Sequence, residues 1–451
     1  MARTARDRND QSRDSKQAKA ISRRRFLISS AIALPAGASI LAASSATPAA
    51  APATRKQVTL RFSGWIAMED SGKPAFKLMK DRFESQNPGV AIEYIGIPAE
   101  QSTNQAMVMA AGGNAPDCAQ LGNTGAITLA ASGALEPLES LLDPKILADI
   151  PDSVRGVSTY DNKLLSVVWW PTPFVLYYNK TVLQKAGLDP NRPPKTWDEV
   201  IEQSAKVGAY SGEKLSGWSH DQGKLRYGAQ WSQGVIWGFG ADFVADNKAV
   251  LNTPQSVAAW TRMKKWFDMP GNTWAKGIGV RDVRDLFSKD KLAFTTDGPY
   301  LLGIGRNISG LGDKFDSHWG ATLMPPSPKG KSEGLLMSHS LAIFKQSKIK
   351  DVAARWVNFL LSDREVIDFY NKEMGFLPPT KSNWTGPAYE TDFMKTVIKQ
   401  MDGARPLPKH PKADPTILTM IAAAQQDILL NNKNVKEVLD NLQKNVELIM
   451  A

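Results

Sequence analysis

The chain has 451 residues, 42% of them hydrophobic and 22% charged, so it can bury a large core but exceeds what one core usually fills, which predicts two lobes. Its formal net charge is +10, yet residues 1–46 hold nine Lys/Arg against three Asp, and the rest of the chain carries only +4 with no basic run. That distribution removes nucleic acid as an expected partner. Cys118 is the only cysteine, which excludes an internal disulfide and any CxxC redox or metal site.

Residues 1–46 have the three parts of a secretory signal: a basic stretch ending at Arg25, an apolar stretch over 26–43, and small residues at Ser44-Ser45-Ala46. Ser22-Arg23-Arg24-Arg25-Phe26-Leu27 fits the twin-arginine pattern, in which paired arginines precede a mildly hydrophobic segment. The apolar run contains Pro35 and Gly37 and is short for a bilayer span, and no other segment approaches about 18 apolar residues. The signal has no cysteine at its end to carry a lipid. The expectation is export by the twin-arginine route to the periplasm, with cleavage after Ala46 and a short flexible linker over 47–56.

Folding is expected to begin at Val58, where Val58, Leu60 and Phe62 alternate with polar residues as one face of a strand. Phe76, Met79 and Phe83 follow at helical spacing, Asn87-Pro88-Gly89 ends the helix, and 90–97 reads as a second strand, completing a βαβ unit. A helix over 101–111, a strand over 117–121 and a helix over 126–131 continue the alternation, which implies a parallel sheet covered on both faces. Ligands bind such sheets beyond the carboxyl ends of the strands. That rule points at Ser63-Gly64-Trp65 and at Gly122-Asn123-Thr124.

A second α/β region contains a strand over 174–178, a helix opened by the capping box Thr196-Trp197-Asp198-Glu199, and a helix opened by Thr253-Pro254. Val257, Trp260, Met263 and Phe267 form one stripe of that last helix, so Trp260 belongs to the core. Helices over 351–361 and 434–450 close the chain.

The four histidines stand far apart, and no H-E-x-x-H spacing, G-x-S-x-G elbow or Walker-type phosphate loop occurs. No catalytic group, metal or cofactor is therefore expected, and each histidine reads best as a surface or satisfied loop residue. The 13 tryptophans are the unusual feature. Trp65, Trp169, Trp170, Trp231 and Trp237 lie beside Pro, Gly, Ser, Asn or Gln and are expected in loops or strand ends, where binding residues concentrate. A sugar ring has an apolar C–H face and a hydroxyl rim, so its pocket needs flat aromatic surface edged with polar side chains. Trp169-Trp170-Pro171-Thr172 and Gln230-Trp231-Ser232-Gln233 offer that mixture.

The order of segments resembles the family 1 extracellular solute-binding proteins, the maltose-binding-protein-like components of sugar ABC transporters. The resemblance runs from about residue 58 onward. It is carried by Phe83-Glu84-Ser85-Gln86-Asn87-Pro88-Gly89, Ala111-Gly112-Gly113-Asn114-Ala115-Pro116-Asp117, Tyr177-Tyr178-Asn179-Lys180, Lys195-Thr196-Trp197-Asp198-Glu199, Asp297-Gly298-Pro299-Tyr300 and Gly375-Phe376-Leu377-Pro378-Pro379. The sequence departs from the family pattern with Tyr300 where Trp is frequent and with Asp161-Asn162-Lys163 where Asp-Gly-Lys is usual.

The resemblance implies a two-lobed α/β periplasmic-binding-protein fold, with ligand in the cleft between lobes and a hinge of several crossings near residues 168, 335 and 385. The lobes are expected over 57–168 plus 335–385 and over 169–334 plus 386–451. The implied ligand-binding residues are Trp65, Asn123, Thr124, Trp169, Trp170, Thr172, Trp231, Gln233, Trp237, Asp297 and Tyr300. The implied function is capture of a sugar, sugar derivative or polyol by a monomer that delivers it to ABC transporter permease subunits. A secreted carbohydrate-active enzyme, or a binding protein for a phosphorylated polyol or polyamine, is the alternative. The signal is directly testable: Arg23→Lys with Arg24→Lys and Arg25→Lys is expected to leave unprocessed precursor inside the cell, because the export receptor reads paired arginines rather than charge. Immunoblotting of cell fractions checks it, and normal export of the triple variant overturns the twin-arginine reading.

Overall fold

The structure, a computed structural model, describes residues 57–451 apart from 71, 246 and 247. The signal and linker expected over 1–56 lie outside the described residues. The expected first unit is present as strand Val58–Gly64, helix Lys73–Gln86 and parallel strand Val90–Gly96, with Leu60 opposite Ile92. Gly89 supplies the positive φ of 91° that turns the chain between helix and strand. Helix Ser102–Ala111, strand Cys118–Gly122 and helix Asn123–Ala131 follow as the alternation predicts, but the expected parallel sheet is mixed, because Gly334–Ile343 returns from the second lobe antiparallel to Cys118–Gly122 and to Val167–Pro173.

The six-stranded sheet of this lobe runs in the order Ala404–Pro406, Gly334–Ile343, Cys118–Gly122, Val58–Gly64, Val90–Gly96, and Val167–Pro173 also pairs with Gly334–Ile343. The second lobe is built on a four-stranded sheet in the order Trp319–Thr322, Val175–Asn179, Leu292–Asp297, Ser216–Trp218. The chain passes directly from Val167–Pro173 in the first sheet to Val175–Asn179 in the second. Pro171 and Pro173 are tolerated because their strand pairs with Gly334–Ile343 alone, leaving an edge where no amide donor is needed.

The caps are those the sequence offers. Thr196 accepts from the Glu199 N–H at 3.1 Å, while the Glu199 carboxylate reaches back to the Lys195 N–H at 2.6 Å, one residue earlier than in the usual box. Thr253 accepts from the Ser256 N–H at 3.1 Å. Asp161 and Asn162, the departure from Asp-Gly-Lys, take left-handed φ angles of 50° and 56° in the hairpin joining Thr159–Tyr160 to Lys163–Leu164. A two-residue hairpin turn requires that conformation, and Asn and Asp tolerate it best after Gly.

Each lobe has its own aromatic core. In the first, Trp356 meets Phe83 at 4.9 Å and Phe62 at 5.7 Å between ring centroids. Cys118 lies in this sheet, fully buried between Phe62 and Ile343 on the neighbouring strands. In the second, Trp218 stacks on Trp266 at 4.2 Å with Trp197 edge-on to both. Trp260 is buried and parallel to Phe243, as its stripe predicts.

One expectation is corrected here. Trp231 and Trp237 are not in loops: they lie in helix Arg226–Gly238. Its three glycines and Ser232 give it poor intrinsic propensity, and burial on every side overrides that. Gly238 is needed there, because a Cβ would stand 2.2 Å from the Trp197 indole nitrogen. Trp169 and Trp170 likewise lie inside a strand rather than at its end. Truncating the core indole in Trp260→Ala is expected to lower the unfolding free energy by about 3–5 kcal/mol, read from urea denaturation, while the folded fraction keeps its ligand affinity.

Candidate ligand cleft

The carboxyl ends of Val58–Gly64 and Cys118–Gly122 in the first lobe and of Leu292–Asp297 in the second carry the polar and aromatic groups that meet between the lobes. On the first-lobe side Gln120 organises the loop after the first strand. Its Oε1 accepts from the backbone N–H of both Trp65 and Ile66, each at 3.0 Å. That fixes which end of the amide is oxygen, so Nε2 donates to His339 Nδ1 at 3.1 Å. His339 is then the neutral tautomer with its proton on Nε2. Burial agrees, pushing its pKa down to about 3.

His339 starts a chain of rings. Trp65 stands edge-on to it at 4.9 Å, Phe376 lies 5.2 Å away, and Phe376 meets Tyr300 of the second lobe at 5.4 Å. Beneath them Trp170 packs on Tyr370 at 4.7 Å and on Phe376 at 6.1 Å, with Trp169 against Trp170.

On the second-lobe side the anchor is Arg284, carried by helix Val280–Ser288. It donates from Nε and Nη2 to the two oxygens of Asp297 at 2.7 and 3.1 Å, a bidentate pair in which Asp297 is 2% exposed. The guanidinium lies over the Tyr300 ring at 5.0 Å and the Trp231 ring at 6.0 Å. Asp297 also accepts from the Gly298 N–H at 2.8 Å, and the Gly298 carbonyl takes the Tyr177 hydroxyl at 2.9 Å, so the Asp-Gly-Pro-Tyr turn is held at both ends. Burial, and then the Asp297 charge, raise the Tyr300 pKa, keeping its hydroxyl neutral.

Two further acids face this region. Asp221 is buried and its pKa rises to about 6 through desolvation, opposed by the Gly223 N–H that bonds it at 2.7 Å. Glu69 keeps an exposed side chain, yet the surrounding walls raise its pKa against the pull of Arg284 and Arg281.

The residues expected from the sequence divide into three groups. Trp65, Trp231, Asp297 and Tyr300 belong to the ring and charge cluster just described. Trp169, Trp170 and Thr172 form its floor: both indoles have no exposed surface, their N–H groups find no partner, and Thr172 donates to the Met337 carbonyl at 2.8 Å. Gln233 and Trp237 are grouped elsewhere, around Asp242, with the Trp237 N–H donating to it at 2.9 Å and Arg405 stacked on the indole at 4.3 Å. Asn123 and Thr124 open helix Asn123–Ala131 and line a cavity of about 10 Å³ with Lys409 and His410. Gln120, His339, Arg284 and Glu69 were not anticipated. A polar Gln within the apolar strand Cys118–Gly122 was the available signal for the first; His339 and Arg284 gain meaning only from partners distant in the chain. Among the described residues no group of His, Cys, Asp or Glu has the arrangement of a metal site.

Residues 79–396, most of the chain, match the family described as bacterial extracellular solute-binding protein. The chain belongs to that family. Such a solute-binding protein captures substrate for an ABC transporter. Among its relatives, the sn-glycerol-3-phosphate-binding periplasmic protein UgpB of Shigella dysenteriae is 29% identical over 380 residues, covering 76% of this chain and 81% of that protein. An ABC transporter solute-binding protein from Thermotoga lettingae, solved with α-D-tagatose, superposes with a TM-score of 0.77 at 21% identity over 88% of this chain and 100% of that one. UgpB from Mycobacterium tuberculosis in complex with glycerophosphocholine gives 0.75 at 20% identity over 87% and 98%. The two-lobed fold of this solute-binding protein is thus that of known periplasmic relatives.

The neutral His339 makes folding acid-sensitive. Unfolded histidine takes up a proton near pH 6.5 and the folded one only near pH 3, so the stability tied to the neutral ring falls as pH drops below about 6.5. Between pH 7.5 and 5 the stability difference between wild type and His339→Gln is expected to shift by about 2 kcal/mol against wild type, at roughly 1.4 kcal/mol per pH unit. Urea unfolding at the two pH values checks it, and a pH-independent difference overturns it.

Proposed function

We propose that this solute-binding protein captures a neutral polyhydroxylated ligand, a sugar, sugar derivative or polyol, between Trp65 and Phe376 on one side and Tyr300 and Trp231 on the other. The observation that carries the reading is the compensated charge of the cleft. Arg284 is matched by Asp297, His339 is neutral, and flat aromatic surface surrounds both. Such a lining offers C–H stacking and hydroxyl hydrogen bonds, to which Asp221 and Glu69, both with raised pKa values, add further polar partners. The reading includes release of the ligand chemically unchanged, supported by membership of the solute-binding family.

The reading includes export through the twin-arginine route to the periplasm, a monomeric state and delivery to a permease. Lobe boundaries at 57–168 plus 335–385 and 169–334 plus 386–451 belong to it, and the strand Ala404–Pro406, paired with Gly334–Leu336, is the part of the last segment that touches the first sheet. A phosphorylated polyol is the second reading, supported by the ligand in UgpB's name and by Arg226 at the cleft mouth.

A thermal-shift panel of mono- and oligosaccharides, polyols and sn-glycerol-3-phosphate decides between them. A true ligand at 100 times its Kd adds about 2.7 kcal/mol and raises Tm. Calorimetric titration of the hit against Tyr300→Ala and Trp231→Ala is expected to cost about 2 kcal/mol or more, roughly 30-fold in affinity. Wild-type affinity in both variants, or release of a chemically altered sugar, sinks the proposal.

A further inference from the structure

Besides the covalent crossings, a side-chain contact ties the two lobes. Arg226 opens the helix Arg226–Gly238 of the second lobe, and its Nη2 donates to the carbonyl of Ala99 at 2.9 Å. Ala99 begins the turn Ala99–Gln101 directly after strand Val90–Gly96 of the first lobe. The two residues are 127 positions apart, one on a second-lobe helix and one beside the first sheet, so the bond spans the lobes and their separation would break it. The guanidinium is pre-set for it. Tyr227 lies beneath at 5.1 Å, its hydroxyl meets the same Nη2 at 3.3 Å, and Arg226 is 7% exposed although the preceding Leu225 is 60% exposed. A second attraction acts in the same sense: Glu69 of the first lobe lies within electrostatic reach of Arg284 and Arg281 of the second.

We infer that Arg226 is a closure latch, a positioning residue that holds the lobes shut through the Ala99 main chain and so sets how long ligand stays bound, whichever ligand that is. A charged donor on a main-chain acceptor is among the stronger hydrogen bonds, and the acceptor is backbone, so the latch is independent of ligand chemistry. The carbonyl at the first-lobe rim gains this partner on closure and gives it up on opening. Because the bond is internal to the protein, part of the ligand-free population is closed as well.

The inference rests on the solute-binding reading, and its test has one arm that does not. Wild type, Arg226→Gln, Arg226→Lys and, as a charge-loss control, Lys436→Gln from the exposed pair with Asp440 are compared. Ligand-free small-angle scattering is expected to give a larger radius of gyration for Arg226→Gln than for wild type and control. With the sugar identified by the panel, koff is expected to rise about tenfold for Arg226→Gln and less for Arg226→Lys, with kon within about twofold. Every ligand that binds wild type should show the same ratio. Unchanged scattering together with unchanged koff overturns the latch. So does a koff effect confined to one ligand with unchanged scattering, which marks a direct ligand contact instead. If no member of the panel binds wild type, the ligand reading fails, and the scattering comparison alone decides the latch.

Discussion

The antiparallel pairing of Val167–Pro173 with Gly334–Ile343 is the constraint on which the molecule depends. A chain that must cross from one lobe to another exposes backbone donors and acceptors along the way, and an unpaired crossing buried between lobes carries a desolvation cost for each. Pairing two crossings with each other satisfies both. The pairing runs from Leu341 opposite Val167 to Leu336 opposite Pro173, with a register shift between His339 and Ser340. That shift places Trp170 opposite His339 and Thr172 opposite Met337. The strands through which the chain crosses between the two sheets thus also lie beneath the ring cluster of Trp65, His339 and Phe376.

The cleft is built from interactions that cancel. Gln120 spends its oxygen on two backbone amides and its nitrogen on His339; Asp297 spends both oxygens on Arg284 and takes a backbone amide besides. Each pairing fixes a side chain in place, and the Arg284–Asp297 pairing also cancels a charge. The aromatic surfaces are therefore held by polar groups that are already satisfied, which lets them stay in place without ligand.

Much of the fold was legible because its signals are local. Alternation in Val58-Leu60-Phe62, the stop at Asn87-Pro88-Gly89 and the caps at Thr196 and Thr253 are read from neighbours a few residues apart, and all four act as read. The cleft was legible in part. Trp65 and Tyr300 follow strand ends and join the ring cluster, whereas Trp231 and Trp237 looked like loop residues because the glycines around them hide a helix that only tertiary burial stabilises. Gln120 and His339 are 219 residues apart, and nothing near either one in sequence announces the other. Likewise Gln233 and Trp237 are claimed by Asp242 and Arg405, partners that composition does not reveal.

Cys118 sits in the middle strand of the first sheet with no exposed surface, and burial raises its thiol pKa well above the ordinary value. The thiolate is the reactive form, so this sulfur is silent toward alkylating dyes in the folded protein. The rim of the cleft, by contrast, carries Met68 on the first lobe and Leu225 on the second, each at least half exposed. Cysteines introduced at those two positions would be the accessible ones, with no background from the native residue. The chain is in that sense already prepared as an optical gauge: a donor and acceptor dye at 68 and 225 would report the distance across the mouth, one molecule at a time, in wild-type scaffold and without removing a single native side chain from its core.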